Sequence, residues 1–552
     1  MRKRLVLALF AFVTLLAAAP HARAQAPAPK VTISGLFDQV TSMGRNFYDA
    51  NYARDNDREW YARTRFRPDF EFAVGRTKAV LGIELDLMYG QGGSNDGGFP
   101  GNSSGQVCGF LQGCKFGTGG GLDINTDVAG LFEIKWIYTE FDLTGKDSLL
   151  PFIPFLTVAR AGGQPFGTIA NYKVYYANGD FAGLDLYSTF TPDIKNHFAF
   201  VIVEDQLAGG NRAATTARTN RGEDYAFIIS PEFTPFKGLD LKPMFSWFHA
   251  DGVTAGAARR NAVNRRTIGG AMNSSLALGN NTATNTLSGG DAAMHEERYT
   301  IGLDARWRVG PFGLDPTFAY QWGKYDTQAN RTNGTVGRVE GNASAWLFDA
   351  ILSYQLGPLL LEFRGIYSPG NKARDNLSLS KRYFEPLDQD AGYYNGWAAI
   401  LGSGVDYFNG GGGPNVGMAT NIGYDRYGRG QFGARATYNI TPAFAVYGMV
   451  SPTWTAESVD TDTTIPLAPQ TNFTARQTVD DQSWVKGDSN YIGTEMDLGL
   501  TWRFAPNAAF DLQGAYLKAG HALDTAEVLS GAHTRRDAND AYLLSARVRL
   551  AF

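Results

Sequence analysis

The chain has 552 residues, a formal charge of −4, 65 glycines, 13% aromatic residues and only two cysteines. No basic tail or block argues for a nucleic-acid partner, and no stretch beyond the N-terminus approaches 18 uninterrupted apolar residues, which excludes later helical membrane spans. Length alone suggests several domains. Yet no linker, low-complexity hinge or shift in composition divides 31–552, so a single domain covering 25–552 is expected.

The first element is a leader. Arg2, Lys3 and Arg4 precede an apolar run from Leu5 to Ala19, and Ala22–Ala24 offers an A-x-A site. This reads as a secretory signal peptide over 1–24, cleaved before Gln25. The rival reading, a membrane anchor, suffers from the short run. Cleavage removes Arg2, Lys3, Arg4 and Arg23 and no acid, moving the formal charge to −8.

Alternating segments follow. Strands are predicted near 30–40, 58–74, 78–89, 129–143, 154–163, 180–190, 195–205, 223–233, 238–250, 296–309, 311–322, 341–356, 358–367, 429–440, 443–455, 490–504, 508–518 and 540–552. That makes about eighteen, with sixteen to twenty as the range, because "GWAAILGSGVDYF" at 396–408 offers a further strand. The gaps alternate. Short ones carry turn chemistry, as in "GRTK" at 75–78 or "GP" at 310–311 and 357–358. Long ones, rich in Gly, Asn, Asp, Ser and Thr, fall between them. Short turns on one rim and long loops on the other suit an all-β, antiparallel, up-and-down transmembrane barrel with periplasmic turns and extracellular loops.

The stretch "YARTRFRPDFEF" at 61–72 shows the two-faced strand such a barrel needs. Arg63, Arg65, Arg67, Asp69 and Glu71 alternate with Ala62, Thr64, Phe66, Pro68, Phe70 and Phe72. Successive strand side chains point to opposite faces. An Arg facing lipid at mid-depth costs about 2–4 kcal/mol, so the charged face is assigned to a wet lumen. By the same pattern Arg306, Arg308, Arg435, Arg547 and Arg549 are expected to line it, with Glu84, Asp86, Asp304, Glu495 and Asp497. Arg63, Arg65, Arg67, Arg547 and Arg549 would form a basic wall, either selecting anions or pairing with neighbouring acids. Trp60, Tyr89, Trp136, Trp247, Trp322, Trp454, Trp502 and Phe504 are expected on the outer face as interfacial rings.

The signal, the alternating strands with Pro-containing turns, and the last strand "AYLLSARVRLAF" ending in Phe552 resemble Gram-negative outer-membrane porins. The strand count is similar to that of the larger, substrate-preferring porins and of alginate-export channels. The resemblance implies an outer-membrane location, contact with lipid and lipopolysaccharide, and recognition of Phe552 by the barrel-assembly machinery. It leaves a homotrimer open. The function implied is a passive channel for small hydrophilic, or anionic, solutes. The alternatives are a polysaccharide exporter and a structural barrel anchoring a partner complex.

No plug domain fits before a first strand at about Val31, so an internal loop should constrict the pore. The candidates are 90–128, 251–295 and 368–428. In the last, "RYFEPLDQDAGYYNGW" could line a sugar path or pack as an outside lid. Cys108 and Cys114 suit a local disulfide in an oxidising compartment, against a metal pair that lacks clustered histidines. Asp123, Asn125 and Asp127 begin like a calcium loop, but the sixth-place Gly and twelfth-place Glu are missing. Scattered histidines, His249 and His521 among them, accompany no nucleophile or adjacent base. No enzyme, cofactor or metal site is therefore expected.

Overall fold

A computed structural model describes residues 28–46, 58–89, 126–128, 132–173, 175–177, 180–204, 223–251, 295–330, 336–372, 375, 380–387, 397–401, 427–459, 487–529 and 532–552. The signal peptide, Cys108, Cys114, Asp123, Asn125, residues 90–125 and 252–294, and the side chains of Trp60, Arg63, Asp86, Tyr89 and Asp127 lie outside the described residues.

The strands in chain order are β1 (Lys30–Arg45), β2 (Arg58–Val74), β3 (Thr77–Tyr89), β4 (Thr126–Val128), β5 (Phe132–Thr144), β6 (Leu156–Pro165), β7 (Asp180–Thr191), β8 (Ile194–Glu204), β9 (Glu223–Phe236), β10 (Leu239–Asp251), β11 (His295–Val309), β12 (Phe312–Asn330), β13 (Val336–Leu356), β14 (Leu359–Ser368), β15 (Ser380–Lys381), β16 (Arg429–Thr441), β17 (Phe444–Val459), β18 (Ser489–Ala505), β19 (Ala508–Ala519), β20 (Thr525–Leu529), β21 (Ala532–Arg536) and β22 (Ala541–Ala551). Eighteen of them form one antiparallel ring. β4 rides on β5, β15 lies parallel to β13, and β20–β21 is a separate hairpin. β1 pairs with β2 on one side and β22 on the other, which closes the barrel and leaves no edge. Residues 397–401 form no strand.

The short turns behave as their residues predict. Gly357, between β13 and β14, adopts φ 55°, a left-handed conformation that a side chain would strain, and Pro358 follows it.

The barrel is apolar outside. Leu303, Trp307, Phe432 (65% exposed), Leu498 (73%) and Trp502 all face away from the lumen. On β10, Lys242, Met244, Ser246 and Phe248 are buried on the lumen side, while Phe245 between them is exposed. No described helix is long and apolar enough to cross a membrane; the strands supply the apolar surface instead. The buried apolar cluster sits inside the ring, built from Phe166, Tyr175, Tyr176, Phe181, Phe248, Phe384 and Tyr427. Its partners are segments between strands that fold inward.

Two expectations need correction. Trp136 is not an outer-face ring. The β3–β5 register slips between Gly82 and Ile83, where Gly82 faces Trp136 and Ile83 faces Ile134. This bulge breaks the two-residue alternation and turns the indole into the lumen, where Arg67 lies over it at 5.4 Å. Second, β12 and β13 run to Asn330 and from Val336, well past the predicted ends, and continue their ladder beyond the apolar belt.

Candidate functional site in the barrel lumen

The lumen is narrowed from within by segments of three connections. The first, 166–177 between β6 and β7, was not among the expected constriction loops. Ser230 Oγ donates to the Ala170 carbonyl at 2.7 Å and Lys242 Nζ to that of Thr168 at 2.7 Å. The Lys173 amide donates to Asp304 Oδ2 at 3.0 Å, and Tyr176 Oη to Ser246 Oγ at 2.8 Å. Gly302 on β11 makes room for it, since a Cβ there would lie 2.1 Å from Tyr175 Oη.

The second segment belongs to 368–428, an expected candidate. Tyr383, Phe384, Glu385 and Leu387 are buried inside the barrel, so these residues pack inward rather than as an outer lid. Gln321 on β12 brackets Glu385: its Nε2 donates to the Glu385 carbonyl at 2.9 Å, and the Glu385 amide donates back to Oε1 at 3.1 Å. Arg298, fully buried on β11, bridges Glu296 (3.2 Å) and Glu385 (2.8 Å), and Lys381 reaches Glu385 at 3.1 Å. Farther along the same connection, the Ile400 and Leu401 amides donate to the two oxygens of Glu495 at 2.6 and 2.8 Å. The Ala399 amide reaches Asp497 Oδ2 at 3.2 Å.

The third segment, 520–524, adds Ala522 and Leu523 to the buried cluster. Asp540, in the same β19–β22 connection, accepts from the Ala519 amide at 3.0 Å and from Lys518 at 3.1 Å, and also from Tyr516 Oη. Partial burial raises its carboxyl, but these hydrogen bonds outweigh that and leave it below the ordinary Asp range.

The predicted lumen residues fall into two groups. Glu84, Asp304, Glu495 and Asp497 are buried, holding arginines or inward segments rather than lining an open path. Arg65 and Arg67 both pair with Glu84, at 2.7 and 2.9 Å. Arg549 pairs with Asp511 at 2.8 Å, and Arg308 with Asp315 near the short-turn rim. Arg547 pairs with Asp38 of β1, an acid the sequence reading overlooked, so the wall expected to be basic carries its own counter-charge.

A second group keeps part of its surface open. Arg67 and Arg435 are about a quarter to a third exposed, as is Arg160, which pairs with Glu140 at 2.8 Å. Arg306 is exposed and has no ion pair among the described residues. Each stacks on a ring: Arg67 on Trp136 (5.4 Å), Arg160 on Tyr138 (4.9 Å), Arg306 on Tyr172 (4.1 Å) and Arg435 on Trp397 (4.5 Å). The ring holds the guanidinium plane, while edge donors of Arg67, Arg160 and Arg435 go to Glu84, Glu140 and Glu362. Two cations also converge on one acid at Asp349, where Arg364 lies at 2.8 Å and Lys173 at 3.6 Å. The aromatic partners Tyr172 and Trp397 come from the inward segments. Trp397 ends the stretch "RYFEPLDQDAGYYNGW" named above; the signal for Tyr172 was the apolar and aromatic content of "PFGTIANYKVYY" (165–176), high for a solvated loop.

A closed antiparallel ring with an oily exterior and an ionised interior defines a transmembrane β-barrel. No family model matches the chain, and no curated protein matches it. Among solved structures, the chain is similar to OccK8 (OprE) of Pseudomonas aeruginosa, with 11% identity, TM-score 0.43, and 95% of this chain and 98% of that one covered. It is also similar to OprD of the same organism, with 11% identity, TM-score 0.43, and 96% and 97% covered. A BenF-like porin from Pseudomonas fluorescens Pf-5 gives 9% identity, TM-score 0.43, and 95% and 98% covered.

Proposed function

We propose that the chain is an outer-membrane channel for passive diffusion of small hydrophilic solutes, with a preference for anions or carboxylated molecules. The observation that carries this reading is the set of partly exposed lumen arginines on rings, Arg67, Arg160, Arg306 and Arg435, of which Arg306 and Arg435 rest on Tyr172 and Trp397 of the inward segments. Arg65 and Arg67 share Glu84, and Arg364 and Lys173 share Asp349, so cations and acids stand side by side on the lumen wall and set a local field there. The expected signal over 1–24 would export the chain. Phe552, held to Gly35 by two backbone hydrogen bonds and stacked on Phe66, would present the terminal ring to the assembly machinery. The role is that of a channel rather than a catalyst.

The test is the reversal potential of refolded protein in a planar bilayer under a salt gradient. Wild type should pass anions in preference to cations, and replacing Arg67, Arg160, Arg306 and Arg435 together by Ala should reduce or reverse that preference. An unaltered reversal potential in this variant would remove the anion preference from the reading.

A further inference from the structure

The geometry points to a divalent transition-metal site on the outer face of the barrel, formed by His249, His295 and Glu297. Outside the lumen, the described outer surface carries few ionisable groups, and these three gather at one spot. His249 is near the end of β10, and its register partner across the ladder is Glu297 of β11. His295 lies two residues before Glu297, hence on the same face of that strand. Residues this far apart in the sequence meet only because β10 and β11 flank the 252–294 connection.

The donor atoms already stand close to a coordination geometry. His249 Nδ1 is 2.7 Å from Glu297 Oε1, and His295 Nε2 is 3.8 Å from the same oxygen. All three donors lie within 4.8 Å of one another. Metal bonds of about 2.0–2.1 Å in a tetrahedron place donors about 3.3 Å apart, so small side-chain shifts suffice. In the metal-free arrangement the His249 ring shares a hydrogen bond with Glu297; a cation would take the place of that proton.

The surroundings favour a prepared site over a chance cluster. Trp247 Nε1 donates to Glu297 Oε2, which fixes the carboxylate and leaves Oε1 turned to the histidines. The His249 ring is braced by Tyr225 at 4.9 Å and packs edge-on to His295 at 5.4 Å. Lys324 is the cross-strand neighbour that could neutralise Glu297, but its ammonium goes to Glu340 at 3.0 Å. Two imidazoles and one carboxylate select Zn²⁺, Co²⁺, Ni²⁺ or Cu²⁺ over Mg²⁺ or Ca²⁺. Bound there, the ion would clasp β10 to β11 at the root of the connection that joins them. The other described cluster, His521, Asp524 and Asp537, is weaker. His521 is 72% exposed, and Asp524 already accepts from the Ala538 amide.

The test is a Co²⁺ titration of the full, tag-free chain refolded in detergent, followed by visible absorption and by displacement with Zn²⁺. The expected result is one saturable Co²⁺ per chain, released by Zn²⁺, with at least tenfold weaker binding in His249→Ala and in His295→Ala, and no change in His521→Ala. Glu297→Gln preserves the shape of the face, so it should show the same loss even if an alanine variant folds poorly. No saturable band in wild type, or a band that survives the His249, His295 and Glu297 changes, would overturn the site.

Discussion

Arg547 on the last barrel strand donates Nε and Nη2 to the two carboxylate oxygens of Asp38 on the first, at 2.8 and 2.5 Å. Asp38 is 1% exposed, so this fork locks the seam where the ring closes. Replacing Asp38 by Ala removes both hydrogen bonds of this fork and should destabilise the barrel by about 1–3 kcal/mol. The midpoint of urea unfolding in lipid vesicles measures this. The Asp38→Ala, Arg547→Ala double variant should lose less than the two single changes summed, because they share one interaction.

The lipid face can be tested apart from the lumen. Leu303, exposed at mid-strand on β11, should tolerate no charge: Leu303→Arg is expected to cost about 2–4 kcal/mol. Lys324 and Glu340 form an exposed pair beyond the belt. Lys324→Ala should change stability by less than about 0.5 kcal/mol. Equal effects of the two substitutions on the unfolding midpoint would contradict the placement of the membrane.

The Ala399–Leu401 segment hangs on Glu495 and Asp497 through backbone amides. Each such amide hydrogen bond contributes about 0.5–1.5 kcal/mol, and leaving the buried amide unpaired costs about 1–3 kcal/mol. Glu495→Ala removes two of them and should free the segment from the wall. Single-channel records should then show altered conductance and more flicker. A trace identical to wild type would mean the segment is held by other contacts.

Asp540 predicts a pH effect. Its folded-state carboxyl is more acidic than in an unfolded chain, where the ordinary value is about 3.9. Its stabilisation is therefore complete well above that value and is lost as pH falls through the lower folded value. Asp540→Asn should lower the melting temperature near pH 6, and the difference from wild type should shrink as pH falls below the ordinary Asp range. A difference independent of pH would show that the side chain acts by packing alone.

Much of the barrel was legible because lipid imposes a strict alternation. The bounds of β2 were readable as Arg58–Val74 since its arginines and phenylalanines cannot exchange faces. The ends of β12 and β13 were not readable. Past the belt the outer face turns polar, as at Lys324 and Glu340, and the hydrophobic period vanishes while the hydrogen-bond ladder goes on. Trp136 was misplaced because a bulge adds a residue that periodicity cannot see. The partners of the lumen charges were hidden. Glu495 meets amides 94 and 95 residues away, and only the inward folding of a loop brings them together.

The most direct test of the central claim is single-channel recording of the mature chain refolded into a planar bilayer. A water column through an 18-stranded ring predicts discrete, ohmic conductance steps in salt solution. A folded, membrane-inserted barrel that never conducts would contradict it.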